Sequence, residues 1–472
     1  MGNERLPPGW AWTELGSIIE EAQPGFACGK RDEWGYVQLR MNNIGRDGKV
    51  VTDRVLRIPR NLTNLPKYEL RRGDIIFNNT NSAELVGKTI LFEGELKDCV
   101  YSNHLTRLRV HEGVVTPEWL TWRLIFEQLS GTFERICHRF VGQASVSRTD
   151  LLKLSIMLPP YDEQARTATK IVELTNELDS SRRSLQRVPV LMQRFRQSIL
   201  AKAFRGELTS RAHNDTSVEM LLSRDVTKMP TSPIADAAPL PTGWIWAHVK
   251  DIGEVRLGKQ RSPSNRAGKF ARKYVRVANV FRDRIGLTDI KEMDFPHDDF
   301  ERYRLQSGDV LLCEGQSPEL VGRCAVWNDE IPNCCFQNTL IRVRAPKVLP
   351  RYLLHIFSYA ADKGDFAQLA TQGVNIAHLG ATRLADYEIP LAPLEEQARI
   401  VKAIEGFFAY SITVEESSKS VMASTRVIEQ SALAKAFRGE LVLQDPSDEP
   451  ASVLLEHVRS GQTELVQKKP RR

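Results

Sequence analysis

The sequence predicts an α+β fold: two mixed α/β domains separated by two long helices, related by an internal pseudo-twofold repeat. Three observations predict it. A duplication spans the chain, short β-rich runs follow glycine turns in each copy, and a heptad stripe closes each copy. The length of 472 residues is itself too great for one core.

The duplication aligns the halves at an offset of about 233 to 238 residues. Leu6-Pro7-Pro8-Gly9-Trp10-Ala11-Trp12 recurs as Leu240-Pro241-Thr242-Gly243-Trp244-Ile245-Trp246. Tyr68, Leu70, Gly73 and Asp74 recur as Tyr303, Leu305, Gly308 and Asp309. Asn103, Leu105, Arg107 and Arg109 recur as Asn338, Leu340, Arg342 and Arg344. Gln197 to Leu208 returns at Gln430 to Leu441 with one change, Ile199 to Ala432. A period this long is two copies of a domain pair and not a solenoid, so pseudo-twofold symmetry is expected.

Each copy opens with a mixed domain, 1–160 and 239–393. Tyr36-Val37-Gln38-Leu39 and Tyr274-Val275-Arg276-Val277 are β-rich. Asp74-Ile75-Ile76-Phe77 and Asp309-Val310-Leu311-Leu312 follow a glycine and read as strands. Trp119 to Leu129 and Tyr352 to Tyr359 read as helices. Helical segments follow at 161–208 and 394–441, each holding a helix of about 40 residues that would be near 60 Å long. In the first, Ile171, Leu174, Leu178, Ser181, Leu185, Val188, Met192, Phe195 and Ile199 step by three and four, a heptad seam. The second gives Ile404, Phe407, Ser411, Val414, Ser418, Val421, Thr425, Ile428 and Ala432, a weaker seam. Pro189 should kink or restart the first helix, whereas Met422 stands in its place in the second. Gly206 and Gly439 read as C-caps. A linker at 209–238 carries one short helix around Met220-Leu221-Leu222. The tail, 442–472, repeats that helix at Val453-Leu454-Leu455 before a disordered end.

Charge points to nucleic acid. Ten basic residues lie between Arg256 and Arg284 with one acid, Asp283, although the net charge is only +6. Among them Lys259, Arg261, Arg266, Lys269, Arg272, Lys273 and Arg276 are phosphate-contact candidates, with Lys30, Arg31, Arg40 and Arg46 at the matching place in copy one. A solvated basic face without a ligand is the alternative. The scaffolds match while their polar loops differ. Asn78, Asn79, Asn81 and Gln143 in copy one are base-reading candidates; in copy two they are Glu314, Gln316, Gln372 and Asn375. Asn and Gln can pair with adenine edges, and phosphate contacts set register without specifying sequence. The same residue types also serve turns and caps.

Catalytic motifs are incomplete. Ser82 to Thr89 ends like a P-loop but has Ser82 for the first glycine, and copy two has Gly322-Arg323-Cys324. Leu158-Pro159-Pro160-Tyr161 has leucine where an adenine methyltransferase motif needs asparagine, so it reads as a strand-to-helix connector. The seven cysteines and nine histidines form no metal spacing, which suits reduced thiols and a cytoplasmic protein. Met1 to Trp10 has no apolar signal core, and no apolar run suits a membrane span.

The order of parts resembles the specificity subunit of type I restriction-modification systems. The marks are Leu-Pro-x-Gly-Trp at Leu6 and Leu240, Gly-Asp at Gly73 and Gly308, Glu-Gln-Ala-Arg at Glu163 and Glu396, and Ala-Lys-Ala-Phe-Arg-Gly-Glu-Leu at Ala201 and Ala434. The resemblance implies two target-recognition domains, each reading half of a bipartite site on double-stranded DNA. It implies antiparallel helices that act as a spacer and dock two methyltransferase subunits through the seam: Ile171, Leu174, Leu178, Leu185, Val188, Phe195, Ile404, Phe407, Val414, Val421 and Ile428. Restriction/translocase subunits would join. The chain itself would be no enzyme and bind no cofactor or metal, with S-adenosylmethionine, ATP and magnesium on its partners. Two other readings are a DNA methyltransferase with an unrecognised catalytic domain and a stand-alone DNA-binding regulator or scaffold.

Overall fold

The computed structural model describes residues 6–62, 65–210, 212, 215–218, 222, 240–261, 268–372 and 376–467. It divides into two compact units, one of residues 1–185 with 419–472 and one of residues 186–418. Each unit therefore combines the mixed domain of one sequence copy with part of the helix from each copy.

The mixed domains share one plan, strand for strand. In the first unit the main sheet is antiparallel, in the order Ile19–Pro24, Leu105–Val110, Asp74–Asn78, Thr89–Phe92. In the second it runs Glu254–Leu257, Leu340–Arg344, Val310–Cys313, Cys324–Val326. A three-stranded sheet accompanies each: Leu56–Ile58, Tyr36–Leu39, Cys99–Tyr101, and Lys291–Asp294, Ala271–Val275, Cys335–Phe336. The last pair of each is parallel. The Tyr36 run is the strand expected. The Tyr274 run differs, because its strand ends at Val275 and Val277–Asn279 turn into a 3-10 helix held by Asn279 Oδ1 accepting the Arg276 N–H, 3.1 Å. Pro117–Leu129 and Pro350–Lys363 cover the main sheets, each with proline in the first turn, where its missing N–H costs nothing.

The repeated sequence marks are structural. Gly73 and Gly308 both have φ +90°, a region that suits glycine. The aspartate after each receives a turn N–H at 2.8 Å, from Arg71 and Gln306. It also binds an arginine of the neighbouring strand at 2.7 Å, Arg109 and Arg344. Arg107 and Arg342 are buried and bind Glu21 and Glu254. These repeated arginines are therefore internal struts and not phosphate contacts.

The Glu-Gln-Ala-Arg starts fasten the helices to the mixed domains. Glu163 and Glu396 accept the indole N–H of Trp10 and Trp244, each at 3.0 Å. Burial raises the Glu163 carboxyl above its ordinary range, and the Trp10 hydrogen bond opposes this. Gln164 and Gln397 are fully buried and bridge backbone groups of the covering helix and the preceding strand. Arg166 and Arg399 each pair with an aspartate, Asp448 and Asp215, at 2.6 Å. The Leu158-Pro159-Pro160 segment is indeed the connector, with the Pro159 carbonyl accepting from Gln164 at 3.1 Å.

The first long helix is Tyr161–Gln186, resumed as Val188–Phe204 with a break at Arg187 and Pro189 in the new first turn. The second, Leu394–Ala436, is continuous for 43 residues. Proline against methionine accounts for the difference. Within the first unit the helices are antiparallel: Arg182 meets Glu429, while Ile171 shares a core with Leu433 and Ala436. In the first helix Ile171 and Ile199 of the seam are buried, the positions between them are half-buried, and Ser181 is exposed. In the second helix the seam is borne out at its small polar positions and corrected at three apolar ones. Its polar Ser411, Ser418 and Thr425 are buried, whereas Phe407, Val421 and Ile428 are exposed. On the side facing the partner helix, arginines from that helix reach Ser411 and Thr425, and Phe407 meets the Phe195 ring edge-on at 6.0 Å between centres. Ile404 is buried and Val414 half-buried.

Val453 to Leu455 lie in a longer helix than expected, Ala451–Gln467, with Leu454 and Leu455 buried. Of the other expected helix only Leu222 is described, packed on the core of the second unit; Met220, Leu221 and the final residues 468–472 lie outside the described residues. Among the described residues, no helix is long and apolar enough to cross a membrane.

Candidate nucleic-acid interface

Each mixed domain carries a small sheet that gathers the divergent polar segments. In the first, the hairpin His138–Phe140 and Gln143–Ser145 pairs with Thr80–Asn81, Ala144 opposite Asn81. In the second, Thr371–Gln372 and Ala377–His378 pair with Gly315–Gln316, Ala377 opposite Gln316. The fold thus brings together candidates that are far apart in sequence. Gln143 sits exposed in the first hairpin, and Asn81 and Gln316 are half-buried in the strands beside them.

Not all candidates remain available. Asn78 is completely buried in the strand Asp74–Asn78, all of whose residues are buried, so it cannot reach a base. Its amide atoms have no hydrogen-bond partner. Asn79 is half-buried, donating to Thr80 and accepting from the Thr106 hydroxyl, both at 3.2 Å. Asn81 accepts the Ser82 N–H at 2.9 Å, a turn-forming contact. Glu314 faces His378 Nδ1 at 3.1 Å. Gln372 lies in its strand as stated, and Asn375 lies outside the described residues.

Two features of the first hairpin escaped the sequence reading. Phe140 is 67% exposed and Val141 at the tip fully exposed, beside the exposed Arg139. The hairpin's base is anchored, since His138 Nε2 lies 3.2 Å from Asp150. Hydrogen bonds from Ser147 and then His138 hold the Asp150 carboxyl below its usual range. The signal was present as Phe140-Val141-Gly142, an apolar pair at a glycine turn, Gly142 having φ +77°.

The basic candidates divide by burial. In the first domain Lys30, Arg31 and Arg46 are exposed and Arg40 half-buried. Beside them Trp34 is 80% exposed, its carbonyl accepting from Arg60 at 3.0 Å. In the second domain Arg261, Lys269, Arg272 and Lys273 are exposed. Arg272 and Lys273 stand on the strand Ala271–Val275, with the Arg272 guanidinium 5.1 Å from the Phe300 ring centre. Arg276 pairs with Asp289, whose carboxyl is lowered first by the Lys291 hydrogen bond. Lys259 is a correction. It is buried, donates to the Asp294 carbonyl at 2.6 Å and pairs with Asp299 at 2.9 Å. Arg266 lies outside the described residues.

The P-loop-like segment is a turn. Lys88 Nζ donates to the carbonyls of Met41, at 3.1 Å, and Ile44. Burial and then Arg46 lower its pKa. Gly87, φ +87°, lets the Phe133 ring approach its Cα, and Gly322 does the same for Phe366. The second unit also holds a cavity of about 490 Å³ lined by Arg282, Asp283, His355, Phe408 and Glu415 among others. Burial, then Arg351, lowers the His355 pKa to about 4.

Residues 241–421 match the family model described as type I restriction modification DNA specificity domain. The chain is 25% identical to the EcoKI specificity subunit of Escherichia coli strain K12, over 98% of this chain and 97% of that one. It is 24% identical to the MjaX specificity subunit of Methanocaldococcus jannaschii, described as putative, over 85% and 87%. In structure it is similar to the HsdS subunit from Thermoanaerobacter tengcongensis, with a TM-score of 0.61 and 22% identity over 93% of this chain and 99% of that one. A chain from a structural study of assembly and conformational transition of the type I R-M system gives a TM-score of 0.62 at 21% identity, over 93% and 100%.

Proposed function

We propose that this chain, similar along nearly its whole length to type I restriction-modification specificity subunits, is such a subunit, and that each mixed domain reads one half of a bipartite double-stranded DNA site. The observation that carries the proposal is the pair of matching small sheets that hold unlike residues. Thr80–Asn81 with the hairpin at 138–145 corresponds strand for strand to Gly315–Gln316 with 371–378. One scaffold with two sets of polar tips is what two different half-sites require. The exposed Lys30, Arg31, Arg46, Arg261, Lys269, Arg272 and Lys273 hold phosphates, and Asn81, Gln143 and Gln316 supply base contacts.

Two methyltransferase subunits dock on the long helices, where Val172, Val190, Leu191, Phe407, Tyr410, Val421 and Ile428 expose apolar surface. They bring S-adenosylmethionine and the methyl-transfer chemistry, and restriction/translocase subunits bring ATP and magnesium. The chain contributes recognition and no catalytic group, and acts in the cytoplasm. The test is purification with its partners from the native cell, followed by selection of bound duplexes from a random pool. Co-purifying methyltransferase and a split recognition sequence are expected. A chain that transfers methyl groups alone, or a single uninterrupted site, would overturn the proposal.

A further inference from the structure

The long helices meet through two arginine forks that the sequence duplication converts into one another. In the first unit Arg182 Nε donates to the Thr425 hydroxyl at 3.0 Å and its terminal nitrogen to Glu429 at 2.6 Å. In the second, Arg196 donates to the Ser411 hydroxyl and to Glu415, both at 2.8 Å. All four charged side chains are between 22% and 30% exposed, half withdrawn from water. The Glu429 hydrogen bond is the largest influence on Arg182 and raises its pKa.

The offset of 233 residues that aligns Gln197 with Gln430 also aligns Arg182 with Glu415 and Arg196 with Glu429. Leu178 and Met192 align with Ser411 and Thr425 by the same count. The first helix therefore carries arginine and large apolar residues where the second carries glutamate and small hydroxyls. A pair of first helices would set arginine against arginine, with leucine and methionine where the guanidinium needs a hydroxyl. A pair of second helices would set glutamate against glutamate across a seam of Ser411, Ser418 and Thr425.

We propose that these forks make the two helices complementary to each other and repellent to themselves, so that the duplicated chain closes on its own second half and refuses like-with-like pairing with a second copy. Repulsion against the wrong pairing is as much a source of specificity as attraction in the right one. Bidentate arginine contacts suit the task because they demand a fixed geometry. The proposal is independent of what the mixed domains bind.

Full-length charge variants test it. R182E/R196E makes both helices acidic, and E415R/E429R makes both basic. Each double variant should unfold several degrees below the wild-type chain in a thermal melt. The quadruple variant restores opposite charges in a geometry the native forks already use, because each new pair is the symmetry counterpart of the other native one. It lacks the hydroxyl contact, so it should recover most but not all of the loss. The two doubles produced together should form a one-to-one heterodimer by native mass spectrometry, each acidic helix taking a basic one. Wild-type stability in either double, no recovery in the quadruple variant, or no heterodimer would each overturn the proposal.

Discussion

Replacing Gln164 by alanine should destabilise one unit and spare the other. The side chain is fully buried and makes three hydrogen bonds to backbone groups. It accepts the Thr116 N–H at 2.8 Å and donates to the carbonyls of Val114 at 3.0 Å and Pro159 at 3.1 Å. Those partners are the N-cap of the helix Pro117–Leu129, the turn before it, and the connector after the strand Ser155–Leu158. Alanine leaves all three without their partner and away from solvent. At about 1 kcal/mol for each lost bond the cost is about 3 kcal/mol. Hydrogen exchange read by mass spectrometry should then show roughly 100-fold faster exchange through global opening in peptides of residues 65–160. Peptides of residues 268–372 should hardly change. Gln397→Ala should give the mirror result at about 2 kcal/mol, since two side-chain bonds are lost, to Leu349 at 3.0 Å and Ala392 at 2.8 Å. Less than a threefold change in the affected unit, or equal change in both, would refute the assignment of these glutamines as separate fasteners.

Two further predictions follow from charge. His355 has its pKa lowered to about 4 by burial and by Arg351, so the unfolded chain takes up its proton first as the pH falls below about 6.5. Stability of the second unit should therefore decline between about pH 6.5 and about pH 4, and His355→Phe should flatten that decline in urea melts across the range. Neutralising Arg272 and Lys273 should weaken binding to all duplexes and lower the salt slope by about 0.9 per lost phosphate contact, with the preferred sequence unchanged. Loss of affinity for the cognate duplex alone would mean that these two residues read bases.

The architecture was largely legible because it is written twice. Strand Tyr36–Leu39, the Gly73 and Gly308 turns and the break at Pro189 each follow from local rules, and each has a counterpart to check against. What local rules missed was direction. A strand buried on both faces shows no alternation, so Asn78 looked like a loop residue when it is core. Counting charges could not show that Lys259 turns inward, where its ammonium lies 5.0 Å from the Phe295 ring centre and pairs with Asp299. The seam read from the second helix held Ser411, Ser418 and Thr425, which are buried, and also Phe407, Val421 and Ile428, which are exposed. Arginines of the partner helix reach Ser411 and Thr425, and no single-helix pattern contains that partner. The hairpin at 138–145 gains its meaning from pairing with Thr80–Asn81, a contact distant in sequence.

Exchange of a whole mixed domain tests the central claim most directly. Residues 240–393 should be replaced together by the corresponding domain of a related subunit, because Gln316 and the 371–378 hairpin belong to one sheet and a shorter exchange would divide it. With the methyltransferase proposed as its partner, the hybrid should methylate a sequence in which one half-site is new and the other, assigned to residues 6–160, is unchanged. A hybrid whose two half-sites both change, or neither, would contradict independent reading by the two domains.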